Sequence, residues 1–177
     1  MKKQLKRRKC LRCDPHEREW LGRCVDMNLK DSWLESLNAL TAFDLISICE
    51  GHVTGGRGVG GSPFPHINLR IKDRFVPAAV QKYDCHSRAI QLLLAKVFGD
   101  GCSDVEIDFS ISMCLTRRRE SIDRDLTVRI TATHQRTSAA LDDVSRQWFT
   151  SGIKRVQALD SELAKMFSTF ILPGKRI

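Results

Sequence analysis

Residues 105–115 read VEIDFSISMCL and residues 126–134 read LTVRITATH, with TRRRESIDRD between them. In the first run Val105, Ile107, Phe109, Ile111 and Met113 alternate with Glu106, Asp108, Ser110, Ser112 and Cys114. In the second, Leu126, Val128, Ile130 and Ala132 alternate with Thr127, Arg129, Thr131 and Thr133. Successive side chains of a strand point to opposite faces, so each run is expected to be a strand with one apolar and one polar face. A charged turn joining two such runs predicts an antiparallel hairpin. That hairpin decides the fold class, because its apolar face needs helices to cover it while its polar face does not.

Working outward from the hairpin, the chain supplies both kinds of element. Phe43 to Cys49 suits a short strand, and HINLRIK from His66 alternates Ile67, Leu69 and Ile71 with His66, Asn68 and Arg70. FVPAAVQKYDCHSRAIQLLLAKVFGDG reads as a helix with Pro77 in its first turn and Gly99 or Gly101 at its end. A second long helix is expected over about Ser138 to Phe167, with Gly152 as a point of breakage or bending. At the N-terminal end, Trp20, Leu21, Cys24, Val25, Met27, Leu29, Trp33, Leu34, Leu37 and Leu40 fit one or two amphipathic helices, the second capped by Asp31 or Ser32. The expected fold is α+β: a mainly antiparallel four-stranded sheet with helices on one face, in ββα–ββα order, after a helical N-terminal segment. A basic arm over 1–14 and a single domain over 15–177 complete the expected organisation.

The 177 residues are 42% hydrophobic and 28% charged, ordinary for a globular chain. No apolar run approaches the length of a membrane span, and the charged start has no apolar stretch of a secretory signal behind it. The seven cysteines are odd in number and scattered, which reads as reduced thiols in a cytoplasmic protein. The formal net charge is +8. Much of it lies in the first twelve residues, in Lys2, Lys3, Lys6, Arg7, Arg8, Lys9 and Arg12. A basic run of this density attracts polyanions by counterion release, although such runs also serve as solubilising tails. Arg117, Arg118 and Arg119 in the predicted hairpin turn add to a phosphate-tracking surface. With eight Phe, three Trp and one Tyr, mostly on apolar faces, no base-stacking platform is visible.

Two stretches carry chemistry. The first is CEGHVTGGRGVGGSPFPH, residues 49–66, a glycine-rich loop between two predicted strands. It lacks the Gly-Lys-Ser/Thr ending of a nucleotide-phosphate loop, and a strand follows where a helix would be needed. If Ile46 and Ile48 face the helices, Ser47 and Cys49 share the polar sheet face with Asn68 and Arg70, and His52 and His66 flank the loop. Cys49 would then be nucleophile or metal ligand, His52 or His66 the base, Arg57 and Arg70 anion holders, and Asp108 or Glu106 an orienting carboxylate. The opposing reading makes Cys49 a small apolar filler and the histidines loop-edge residues. The second stretch is CLRCDPHEREWLGRC, where Cys10, Cys13, His16 and Cys24 offer a zinc set of partly conventional spacing. No G-x-S-x-G nucleophile elbow occurs anywhere. His134 is read as a solvated turn residue.

The SICEGH stretch, Ser47 to His52, resembles a pattern in small prokaryotic proteins of unknown function. It is also similar to the Ser-x-Cys-x-Gly motif of the wybutosine-synthesising tRNA methyltransferase family, matched here by Ser47, Cys49 and Gly51. The match covers about half a dozen residues and departs at His52, where that family has arginine. The resemblance implies a tRNA-directed S-adenosylmethionine enzyme. Three readings therefore stand: a nucleic-acid-associated protein, a small enzyme at the glycine loop, and a non-catalytic module that forms a homodimer through its exposed sheet.

Overall fold

The computed structural model describes residues 17–51, 63–75, 80–99, 104–115, 122–135 and 141–168. Its described elements are an antiparallel four-stranded sheet, a separate two-stranded hairpin and three α-helices, so the fold is α+β.

The described residues begin with strands, not with a helix. β1 (Glu17–Trp20) and β2 (Arg23–Asp26) form an antiparallel hairpin across Leu21–Gly22. Both turn residues have positive φ, 48° and 75°, as a two-residue hairpin turn matched to strand twist requires. The expected helix over this stretch is thus overturned. α1 (Asp31–Asn38) follows and buries Trp33, Leu34 and Leu37. Its N-cap is Lys30, with no side-chain cap. Asp31, expected as a cap, instead receives Nη2 of Arg18, whose buried guanidinium also donates to Leu29 O at 2.8 Å. That pair fastens the hairpin to the start of α1.

The main sheet has the order β3–β4–β6–β5, all antiparallel: β3 (Phe43–Cys49), β4 (His66–Ile71), β5 (Val105–Leu115) and β6 (Ile122–Ala132). β6 starts earlier than its clean alternation indicates, taking Ile122 to Asp125 from the expected turn. β4 pairs with β6 only between Thr127 and Thr131, so the β5–β6 hairpin continues past β4 from Leu126 to Ile122. At roughly 3.4 Å per residue those five residues span about 17 Å. α2 (Val80–Phe98) links β4 to β5, and α3 (Asp143–Ser168) follows β6.

One sheet face and all three helices share a single buried cluster. Phe43, Leu45, Ile48, Ile67, Leu69, Ile71, Leu126, Val128 and Ile130 meet Leu37 of α1, Ile90 and Leu94 of α2, and Phe149, Val156 and Leu159 of α3. Trp33 stacks on Phe149 with centroids 5.2 Å apart, and Trp148 meets the same ring edge-on at 4.9 Å. Asp142 caps α3 by accepting Ser145 N at 2.7 Å. α3 runs unbroken through Gly152, where a break or a bend was expected. Farther along it, buried Asp160 accepts the backbone N–H groups of Thr41 and Ala42 at 2.9 and 2.7 Å. This carboxylate ties α3 to the entrance of β3.

Candidate functional site

Alternation and register place a polar face on the side of the sheet away from the helices. One row across the strands holds Ser47, Asn68, Arg129 and Asp108; the next holds Cys49, His66, Thr131 and Glu106. A third holds Asp44, Arg70 and Thr127. Arg70 Nη2 reaches Asp44 at 3.5 Å with both side chains about two-fifths exposed, which makes a weak pair. The face is therefore cationic along its two central strands, in Arg70 and Arg129, and acidic at Asp44, Glu106 and Asp108 on the outer ones.

The grouping of Ser47 and Cys49 with Asn68 and His66 arises differently from expectation. Leu45 and Ile48 are buried, at 5% and 6%, while Ile46 is 45% exposed. A bulge between Leu45 and Ser47 leaves Ile46 without a partner in β4 and resets the alternation behind it. Ile46 thus joins the outer side and Leu45 the core, reversing their expected places, while Ser47 and Cys49 keep theirs. Arg23 Nη1 from β2 donates to Leu45 O at this bulge.

At the end of β3 the two feet of the glycine-rich loop are pinched together. Gly51 has φ +84°, and a Cβ placed on it would stand 2.7 Å from Pro63 O and 3.2 Å from Pro65 Cδ. His66 Nδ1 donates to Phe64 O at 3.3 Å. The loop itself, including His52 and Arg57, lies outside the described residues.

Cys49 sits in an acidic surround. Asp26 Oδ2 accepts Glu50 N at 2.6 Å, and Asn28 Nδ2 donates to Glu50 Oε1 at 3.0 Å. Asp26 and Glu50 are both buried. Burial, then the Asp26 charge and its hydrogen bond, with Glu50 adding to them, push the Cys49 thiol up to about 12, although Gly51 N–H donates to its sulfur at 3.3 Å. At neutral pH Cys49 is a protonated thiol, whereas nucleophilic attack and metal ligation both use the thiolate. Sequence reasoning missed Asp26, Asn28 and Glu50 because it read β2 as part of a helix. The one available signal was Leu21–Gly22, a weak turn pair without the Asn or Asp that usually marks such hairpins.

The remaining candidates fall elsewhere. Cys10, Cys13 and His16 lie outside the described residues, and Cys24 lies on β2 opposite Glu19. Among the described residues no group of three His, Cys, Asp or Glu side chains is arranged to hold a metal ion. Lys6, Arg7, Arg8, Lys9, Arg12, Arg117, Arg118 and Arg119 also lie outside the described residues. His134 is more than a solvated turn residue: its Nε2 lies 3.2 Å from Oγ of fully buried Ser145, joining the end of β6 to the start of α3. No helix among the described residues is long and apolar enough to cross a membrane.

Charge is unevenly spread along the chain: of its 29 Lys+Arg, seven fall within the first twelve residues, which hold no Asp or Glu. The chain matches no protein-family profile, no curated protein and no solved structure.

Proposed function

We propose that the protein binds nucleic acid through phosphate contacts made by its basic segments, with the α+β core as the scaffold that spaces them. The observation that carries this reading is the clustering of basic residues in the sequence: seven of the first twelve residues are Lys or Arg, and Arg117 to Arg119 follow one another. Dense positive charge of this kind releases counterions from a polyanion. The β5–β6 hairpin supports the reading, since it continues past β4 and its two strands are joined by the Arg117–Arg119 segment. A two-stranded ribbon is one of the shapes a DNA major groove admits. Arg70, Arg129 and Asn68 on the central strands offer further phosphate contacts. The resemblance of Ser47-x-Cys49-x-Gly51 to a tRNA-modifying family makes tRNA the first RNA to try. Catalysis at Cys49 is the lesser reading, because a protonated thiol is a poor nucleophile.

The test is equilibrium binding of the full chain to tRNA, single-stranded RNA and duplex DNA over a range of salt. Each phosphate contact contributes about 0.9 to the log–log salt slope for duplex DNA and about 0.7 for single strands. Removing residues 1–12 deletes seven Lys and Arg, so the duplex slope should flatten by up to about 6. An unchanged slope and affinity would end the proposal.

A further inference from the structure

The sheet has two edges, and the chain treats them differently. The β3 edge is met by the β1–β2 hairpin: Arg23 donates to Leu45 O at the bulge, and Asp26 accepts Glu50 N just past the strand. Among the described residues the β5 edge has neither device. Val105 to Leu115 pairs with β6 in unbroken register, and no described strand lies on its other side. The strand holds no Pro, Gly, Lys or Arg, so the charges along this edge are Glu106 and Asp108, both in its first half. Its eleven residues extend about 37 Å.

We propose that β5 pairs antiparallel with β5 of a second copy of this chain, about a twofold axis near Ser110, to make one continuous eight-stranded sheet. The strand is self-complementary in that arrangement. With Ser110 opposite its counterpart, Phe109 stands opposite Ile111, Ile107 opposite Met113, and Val105 opposite Leu115. Asp108 falls opposite Ser112 and Glu106 opposite Cys114, so no acid faces an acid. Both carboxylates lie in the first half of the strand, and antiparallel pairing carries the two sets apart, whereas parallel pairing in register would align them. A twofold contact of this kind uses one surface patch on both copies and closes on itself, leaving no growing edge at β5. The inference stands independently of nucleic-acid binding.

Light scattering with size-exclusion chromatography, across a hundredfold range of concentration of the full chain, should show a concentration-dependent dimer. Ser110→Lys puts like charges opposite each other at the axis and should weaken the dimer by up to about fivefold. Ser110→Glu should do the same, and mixing the two variants should restore a dimer containing one of each. Amide exchange along β5 should slow as wild-type concentration rises, a readout that needs no variant. A chain that stays monomeric throughout, or a dimer that Ser110→Lys leaves unweakened, would overturn the proposal.

Discussion

Replacing Gly51 by Ala tests the pinched base of the glycine-rich loop, and Gly22 supplies the control. Both glycines have positive φ, +84° and +75°, so alanine at either site incurs the cost of the left-handed region, about 1–2 kcal/mol. They differ in surroundings. A Cβ at Gly22 meets nothing within 4 Å, whereas at Gly51 it lands 2.7 Å from Pro63 O and 3.2 Å from Pro65 Cδ. Pro63 O is backbone, so the loop foot itself must move, and overpacking of this kind costs about 1–3 kcal/mol more. Gly51→Ala should therefore lose roughly 2–5 kcal/mol and Gly22→Ala only the smaller, conformational part. Urea unfolding of both variants, compared at equal m-values, separates the two contributions. If Gly51→Ala is no more destabilised than Gly22→Ala, the feet of the loop are not in contact as described.

Gly152→Ala, in the interior of α3 with nothing within 4 Å of the added Cβ, should stabilise the protein by about 0.5–1 kcal/mol in the same unfolding assay. Asp160→Ala strips the acceptor from two backbone N–H groups and should cost about 3 kcal/mol or more, while Asp44→Ala at the exposed Arg70 pair should stay within about 1 kcal/mol; the contrast is read from paired denaturation curves. Cys49, with its thiol at about 12, should alkylate about a thousandfold more slowly at pH 8 than an unperturbed thiol, measured peptide by peptide by mass spectrometry. Because the unfolded thiol loses its proton first, near pH 8.5, that group's contribution to stability should fall as pH rises from there toward about 12. Rapid alkylation of the folded protein at neutral pH would restore the case for catalysis.

The main sheet was legible because period-two alternation survives in HINLRI, VEIDFSISMCL and LTVRITATH, where each face has one chemical character. It failed at LISI for a physical reason. Leu45, Ile46 and Ile48 are all apolar, so the pattern fits either phase, and a bulge that inserts one unpaired residue has no composition of its own. The N-terminal hairpin was illegible because its strands are only four residues long and its apolar residues also fall at helical spacing. That single misreading bears directly on function. As a helix, residues 20–29 would have had no defined relation to Cys49. As a hairpin, they place Asp26 against the end of β3, where it holds Glu50 N and raises the neighbouring thiol. The thiol that made Cys49 look like a candidate nucleophile in isolation becomes, with two buried carboxylates beside it, a neutral filler under the foot of the loop. Binding by the basic segments then needs nothing from Cys49, whereas catalysis there needs a thiolate that its surroundings oppose.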